Sequence, residues 1–153
     1  MYLSHLALSE FRNYRQLDLT LGPGLFIFYG DNAQGKTNLL EAVGMLATAS
    51  SFHATSDREV VNWHAPDHVA HLSGEVRRRT DTIQIEITVF DPSPPLPDST
   101  SAEARSTTPL PLPASTPRKR YKINGIPRKT INTIGQMKVV LFAPTDLHLV
   151  EGS

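Results

Sequence analysis

The sequence predicts an α/β fold with a mixed sheet and a second, largely antiparallel layer. An apolar run at residues 25–29 is followed at once by a glycine-rich loop and then by apolar residues at helical spacing over residues 37–49. Alternating apolar residues elsewhere predict the antiparallel strands. A chain of 153 residues with 39% hydrophobic residues is sufficient for one core.

The N-terminal segment predicts a hairpin. Alternate apolar residues flank a polar turn at residues 12–14, with Leu6 and Leu8 before it and Leu17, Leu19 and Leu21 after it. Residues 25–29 are apolar at every position, which is typical of a strand covered on both faces in a parallel sheet. We therefore expect this segment to be the buried central strand.

Later segments supply the remaining elements. Ser56 and Glu59 have the spacing of a capping box, which predicts a short second helix. Alternation over residues 70–76 and 83–89 predicts two strands, and Asn124-Gly125 predicts a type I′ hairpin. Residues 137–142 are a further apolar strand candidate, and a helix is expected to begin near Pro144.

Composition divides the chain into three parts. Residues 1–90 are expected to form a nucleotide-binding lobe with the start of the antiparallel layer. Residues 91–117 hold eight of the twelve prolines, which predicts a disordered insertion. Residues 118–153 are expected to contain a hairpin, a strand and the start of a helix.

Bulk properties exclude several classes of protein. Fifteen basic and fifteen acidic residues give a net charge of zero, so overall charge indicates neither nucleic acid nor membrane as a partner. The absence of cysteine excludes a disulfide framework and a thiolate metal site. With no secretory signal pattern and no apolar run of membrane-spanning length, we expect a cytoplasmic protein.

The motif that carries chemistry is a P-loop. The pattern G-x-x-x-x-G-K-[ST] is satisfied by Gly30, Asp31, Asn32, Ala33, Gln34, Gly35, Lys36 and Thr37. The glycines let the backbone curl so that N–H groups point at a phosphate. Lys36 supplies a cation for the β- and γ-phosphates, and the Thr37 hydroxyl is placed to bind Mg²⁺. The alternative, a glycine-rich turn that merely joins strand to helix, is disfavoured by the strand, loop and helix order.

Three sequence blocks resemble the RecF family of DNA replication and repair proteins. They are residues 10–14 (E-F-R-N-Y), residues 30–42, which contain the P-loop and N-L-L-E-A, and residues 142–147 (F-A-P-T-D-L). The resemblance implies an ABC/SMC-type ATPase head and identifies the chain as its N-terminal fragment. The proline-rich segment departs from the family pattern.

The resemblance implies the following function. RecF-like proteins bind ATP and Mg²⁺, bind single-stranded and gapped duplex DNA, and dimerise with ATP. They promote recombinase loading with other recombination mediator proteins and take part in the SOS response. The family's Walker B carboxylates and serine-glycine signature are not found in this sequence, so ATPase activity stays open. The alternatives are a truncated, non-hydrolysing P-loop fragment, another SMC/ABC-type ATPase, and a different P-loop class such as a small GTPase or kinase.

Weaker signals leave alternatives open. In the proteins that this sequence resembles, the turn at Arg12 lies beside the nucleotide, which implies that Arg12 contacts a phosphate; the alternative is a solvated turn. One acid-free stretch of twelve residues either contacts DNA phosphates or is ordinary solvated surface; its basic residues are Arg118, Lys119, Arg120, Lys122, Arg128 and Lys129.

Two further groups are not assigned a ligand. His64, His68 and His71 lack a clear carboxylate or thiolate partner, which disfavours a metal site. Phe52 and Trp63 are expected to pack in the core or against the lobe rather than to stack on a base.

Overall fold

A computed structural model describes residues 1–91 and 118–142. Its main feature is a six-stranded sheet in the order β2-β1-β3-β4-β5-β6, in which every neighbouring pair is antiparallel. The strands are β1 (Tyr2–Phe11), β2 (Tyr14–Thr20), β3 (Val69–Arg77), β4 (Thr82–Phe90), β5 (Lys119–Ile123) and β6 (Ile126–Arg128). The helices are α1 (Lys36–Thr48), a 3₁₀ helix (Asp57–Val60) and α2 (Thr130–Thr133).

The core lies between one face of the sheet and α1. Alternation along each strand places its apolar side chains on this face, as in the row Leu8, Leu72, Ile87 and Tyr121, which are directly opposite one another on β1, β3, β4 and β5. Leu46 of α1 is fully buried above β3. Only a glycine allows this approach, because a Cβ at Gly74 would lie 2.6 Å from the Leu46 Cδ1 atom.

Several predicted elements are confirmed. The N-terminal hairpin, the helix after the glycine-rich loop and the strands around residues 70–76 and 83–89 are all present. Asn124 and Gly125 both have positive φ, as a type I′ turn requires. The capping box at Ser56 and Glu59 is also present, although the helix that it starts is a single 3₁₀ turn.

The prediction of a buried central strand is wrong in this structure. Residues 25–29 belong to no strand, and Leu25, Ile27 and Tyr29 are 88%, 77% and 92% exposed. A strand needs a neighbour to accept its backbone hydrogen bonds, and no described segment pairs with this one. The described sheet is accordingly antiparallel rather than mixed.

The strand predicted at residues 137–142 is wrong for the same reason. Met137 is buried and Leu141 reaches Gly44 of α1, but Val140 and Phe142 are exposed and the segment has no strand partner in the described ranges. Except for Asp91, the insertion predicted over residues 91–117 lies outside the described residues, as does the helix expected near Pro144. The domain boundaries therefore stay a prediction.

Within residues 1–91 and 118–142, no helix combines the length and apolar character that crossing a membrane requires. The longest of them, α1, has 13 residues.

Candidate nucleotide-binding site

The glycine-rich loop curls around the ammonium group of its own lysine. Lys36 Nζ donates to the carbonyl oxygens of Gly30, at 2.8 Å, and Asp31, at 2.5 Å. The curl needs left-handed backbone at three positions, with φ of 145° at Gly30, 63° at Ala33 and 97° at Gly35. Two of the three are glycines, which adopt this conformation without a steric penalty. The spacing of the P-loop pattern therefore has a local conformational cause.

The loop ends at the N-terminus of α1. Gly35 is the N-cap residue, and no described side chain caps the helix. The first backbone N–H groups of a helix lack an intrahelical acceptor, and the helix dipole adds partial positive charge there. The first turn contains no acidic residue that would oppose an anion. The hollow in front of it, about 160 Å³, is lined by Asn32, Ala33, Gly35, Lys36, Thr37 and Asn38.

The hairpin turn between β1 and β2 is packed against the loop. Asn13 accepts a hydrogen bond at Oδ1 from Asn38 Nδ2, 2.8 Å away, and Tyr14 Oη donates to the Gly35 carbonyl at 3.1 Å. Burial raises the pKa of the Tyr14 phenol above its ordinary value of 10.0. The turn thus forms one wall of the candidate site.

Arg12, at the start of this turn, is paired with a buried carboxylate. Its Nε and Nη2 atoms donate to Oε2 and Oε1 of Glu41, at 2.8 and 2.6 Å. The Glu41 side chain is fully buried and that of Arg12 is 19% exposed. The interpretation of Arg12 as part of a solvated turn is therefore wrong; its contact with a phosphate stays a prediction.

A second, larger hollow adjoins the first. It has a volume of about 580 Å³ and lies between the hairpin turn and the segment after the 3₁₀ helix. Asn38 lines both hollows. The other residues around the second hollow are Arg12, Asn13, Arg15, Glu59, Val61, Asn62, Trp63 and His64.

Trp63 corrects one prediction from the sequence. Its side chain is 83% exposed and lines the second hollow, so it is not a core residue. The chain enters the core at Val60 and Val61, where Val61 forms a bridge with Phe11, and it leaves the core at Trp63. Phe52 is also largely exposed, although its ring lies against Gly44 of α1.

Sequence reasoning missed Glu41 as the partner of Arg12, and it did not bring Asn62, Trp63 and His64 to the loop. Arg12 and Glu41 are 29 positions apart, and Asn62, Trp63 and His64 follow a 3₁₀ turn with no recognised motif. No signal in the sequence indicated Glu41 either, because at about 100° per residue it falls on the side of the predicted helix opposite Leu39 and Leu46. A charged residue in that position is expected to be solvated, and its burial follows only from the tertiary contact with Arg12.

The basic residues within residues 118–129 do not share one face of the sheet. Alternation along β5 directs Lys119 and Tyr121 toward α1, where Lys119 Nζ and Tyr121 Oη donate to the Ala49 carbonyl. Arg120 and Lys122 lie on the opposite, outer face of the sheet. Arg128 pairs with Tyr121 and therefore lies on the α1 side, whereas Arg118 and Lys129 flank the hairpin. The basic residues of this hairpin are therefore divided between its two faces, and DNA contact stays a prediction.

The three histidines are also separated. His71 is on the outer face, with Nδ1 3.2 Å from Thr88 Oγ1, whereas His64 lines the second hollow. His68 lines a different hollow, beside Arg58 and Asp91. In the part of the chain that the structure describes, no three His, Asp or Glu side chains are grouped as a metal site requires.

Comparison with known proteins shows which family the chain belongs to. The family model described as AAA domain matches residues 5–102. The DNA replication and repair protein RecF of Chloroflexus aurantiacus is 41% identical over 157 residues, which cover 99% of this chain and 36% of the relative. RecF of Limosilactobacillus fermentum is 38% identical over 154 residues, which cover 100% of this chain and 34% of the relative.

A solved structure is also similar. It is the recombination mediator protein RecF-ATP in the RecFOR pathway, with a TM-score of 0.73 and 26% identity over 97% of this chain and 34% of that chain. The chain spans about a third of the length of these relatives. The resemblance to RecF that the three sequence blocks indicated is confirmed. Because the family model covers more than half of the sequence, the chain belongs to the AAA domain family of P-loop proteins, with RecF proteins as its relatives.

Proposed function

We propose that the chain binds ATP with Mg²⁺ at residues 30–37, as the nucleotide-binding part of a RecF-like protein of DNA repair and replication. The observation that carries this proposal is the loop itself, in which the Lys36 ammonium lies inside a curl that ends at an uncapped helix N-terminus. Backbone N–H groups, a helix dipole and one mobile cation are the groups that bind a polyphosphate.

The two hollows fit the two ends of a nucleotide. The hollow at residues 32–38 would take the phosphates, and the second hollow, which shares Asn38, would take the nucleoside. The second hollow offers amide groups from Asn13 and Asn62 and the exposed indole of Trp63. Amides can hydrogen-bond a base, and an indole can stack on one. Thr37, which lines the first hollow, would supply the hydroxyl for Mg²⁺.

Equilibrium binding of a fluorescent ATP analogue with Mg²⁺, competed by ATP and GTP, tests the proposal. Lys36→Ala should abolish affinity and leave the circular dichroism spectrum unchanged. Lys138→Ala is the matched control, because Lys138 is an exposed lysine outside both hollows. Affinity that survives Lys36→Ala would remove the loop from the proposal.

The role of Mg²⁺ has a separate test. Thr37→Ala should remove the Mg²⁺ dependence of binding, whereas Thr37→Ser keeps the hydroxyl and should retain it. Equal Mg²⁺ dependence in both variants would exclude Thr37 as a metal ligand.

Relatives named as DNA replication and repair proteins favour DNA as the partner of the whole protein. We extend this proposal to ATP-dependent dimerisation, to action at gapped duplex DNA with other recombination mediator proteins in recombinase loading and the SOS response, and to a cytoplasmic location. The alternative is a P-loop segment that binds ATP without hydrolysis. Measuring phosphate release from this chain and from a longer chain separates the two.

The split of the basic residues sharpens the DNA test. Arg120 and Lys122 share the outer face, although Lys122 lies directly opposite Glu86 on β4. If DNA contacts this face, Arg120→Ala and Lys122→Ala should each lower the salt dependence of binding to gapped duplex, by roughly one unit of log–log slope. Arg128→Ala, on the α1 side, is the matched control. Equal effects from all three would exclude the outer face.

A further inference from the structure

Glu41 is the one fully buried ionisable side chain among those whose burial the structure describes. It lies five positions after Lys36, in the second turn of α1. Burying a carboxylate is costly unless its oxygens are satisfied. Glu41 meets this requirement with three donors, which are Arg12 Nε, Arg12 Nη2 and Ser51 Oγ.

A fold does not need such a pair for stability. Apolar side chains of similar volume often replace a buried ion pair with no loss of stability, whereas a two-pronged guanidinium–carboxylate contact fixes direction. The Arg12 backbone is in the left-handed region, with φ of 53°, and its N–H donates to the Val60 carbonyl at 2.8 Å. The pair therefore holds a strained turn residue in a defined orientation.

The two residues that follow Arg12 contact the P-loop. Asn13 lies against Gly35 so closely that a Cβ there would be 2.7 Å from its side-chain oxygen and nitrogen. Tyr14 donates to the Gly35 carbonyl, and Asn38 donates to Asn13. A continuous series of contacts thus runs from Glu41 through Arg12 and the turn to the last residue of the loop.

We propose that Glu41 is a positioning residue for nucleotide binding, which acts through Arg12 to hold Asn13 and Tyr14 against Gly35. The inference rests on the proposed ATP site. Gly35 joins the curl to the N-terminus of α1. If the hairpin turn between β1 and β2 were displaced, the curl and the uncapped N–H groups of the helix could move apart. Nucleotide affinity then falls although Glu41 contacts no part of the nucleotide.

The first test is Glu41→Gln, which removes the charge and keeps the size. We expect affinity for the fluorescent ATP analogue to fall roughly ten-fold, by analogy with residues that orient the ligands of a metal site. Arg12→Lys is a milder second variant, since it keeps the charge, loses the two-pronged contact and is expected to fold. It should weaken binding in the same direction, and adding Glu41→Gln to it should cause little further loss.

Two controls separate positioning from general stability. Ser51→Ala removes the third donor without touching Arg12, and Glu75→Gln removes a carboxylate that accepts from Ser4 Oγ at 2.6 Å. In the register of β1 and β3, Glu75 lies opposite His5, which is about 20 Å along β1 from the turn that contains Arg12. Both variants should bind with wild-type affinity.

A spectroscopic readout reports the turn directly. In ¹H–¹⁵N spectra without nucleotide, the Gly35 amide and the Asn13 side-chain amide should shift in Glu41→Gln and Arg12→Lys, but not in Ser51→Ala or Glu75→Gln. A structural role alone would not single out these two groups.

The outcomes are distinct. If the wild-type chain binds and folded Glu41→Gln binds equally well, this inference is overturned and the ATP site stands. Additive losses in the double variant, or an equal loss in Ser51→Ala, would also overturn it. If the wild-type chain binds no analogue, the proposed function and this inference both fail.

Discussion

Asn13 and Gly35 are in such close contact that glycine is the one residue that fits at position 35. An added Cβ would lie 2.7 Å from both Nδ2 and Oδ1 of Asn13, and φ at Gly35 is +97°. Gly35→Ala should therefore lower the free energy of unfolding by about 1–3 kcal/mol and weaken nucleotide binding. Urea unfolding and analogue binding measure the two effects.

The same substitution at Gly22 is the control. A Cβ there meets no atom within 4 Å, and its φ lies outside the left-handed range. Gly22→Ala should change stability by less than about 0.5 kcal/mol. In the double variant with Asn13→Ala, the alanine at position 35 no longer collides with the Asn13 side chain. Part of the unfolding free energy lost in Gly35→Ala should therefore return, and the part lost through the left-handed backbone at φ +97° should not. Full recovery would show that backbone strain contributes nothing.

Gly74 sets the distance between α1 and the sheet. A Cβ there would lie 2.6 Å from Leu46 Cδ1 and 3.1 Å from Leu3 Cδ1, so Gly74→Ala should destabilise the chain by about 1–3 kcal/mol through overpacking. Urea unfolding measures this loss. Ser73→Ala, on the outer face beside it, should cost less than about 1 kcal/mol.

A double-mutant cycle identifies the cause. Leu46→Ala leaves a cavity above Gly74, so Gly74→Ala should be neutral or stabilising in that background. An equal cost in both backgrounds would mean that Leu46 is not the limiting contact.

The burial of Tyr14 predicts that the free energy of unfolding depends on pH in the alkaline range. Burial raises its pKa above 10.0, so the neutral phenol is favoured in the folded state. Its contribution is fully present below pH 10 and is lost as pH rises through the higher pKa of the folded chain. The phenolate could no longer donate to the Gly35 carbonyl.

Tyr14→Phe isolates this contribution. The unfolding free energy of the wild type should fall more steeply above pH 10 than that of the variant, and ultraviolet titration of the variant should lack one phenolate transition above pH 10. Superimposable stability profiles above pH 10 would contradict the prediction. Lysines titrate in the same pH range. The wild-type profile of unfolding free energy is therefore compared with that of Tyr14→Phe rather than interpreted alone.

The sequence predicted local geometry well. The P-loop pattern, the Asn124-Gly125 turn and the alternation of Ile83, Ile85 and Ile87 each report a constraint that acts between neighbours in the chain. Their structures follow without knowledge of the rest of the fold.

Tertiary relationships were not predictable in this way. The apolar run at residues 25–29 shows that a strand could be buried, but it contains no information about which strand would cover it. Glu41 and Arg12 form a pair only because a left-handed turn brings them together from 29 positions apart. Trp63 was expected to pack in the core or against the lobe, but its exposure is decided by where the chain leaves the Phe11–Val61 bridge.

The last prediction concerns that apolar run. Leu25 and Ile27 are 88% and 77% exposed, so replacing both with lysine should change the unfolding free energy of this chain by less than about 1 kcal/mol. Ile85→Lys, at a fully buried position of β4, is the comparison and should abolish cooperative unfolding.

Sedimentation provides a second measurement on the same variants. Exposed apolar side chains favour association, so the double lysine variant should remain monomeric to higher concentration than the wild type. A stability loss above about 2 kcal/mol in the lysine variant would instead place residues 25–29 in a buried strand. The sequence-based prediction would then be correct for this segment, and the exposed arrangement would be wrong.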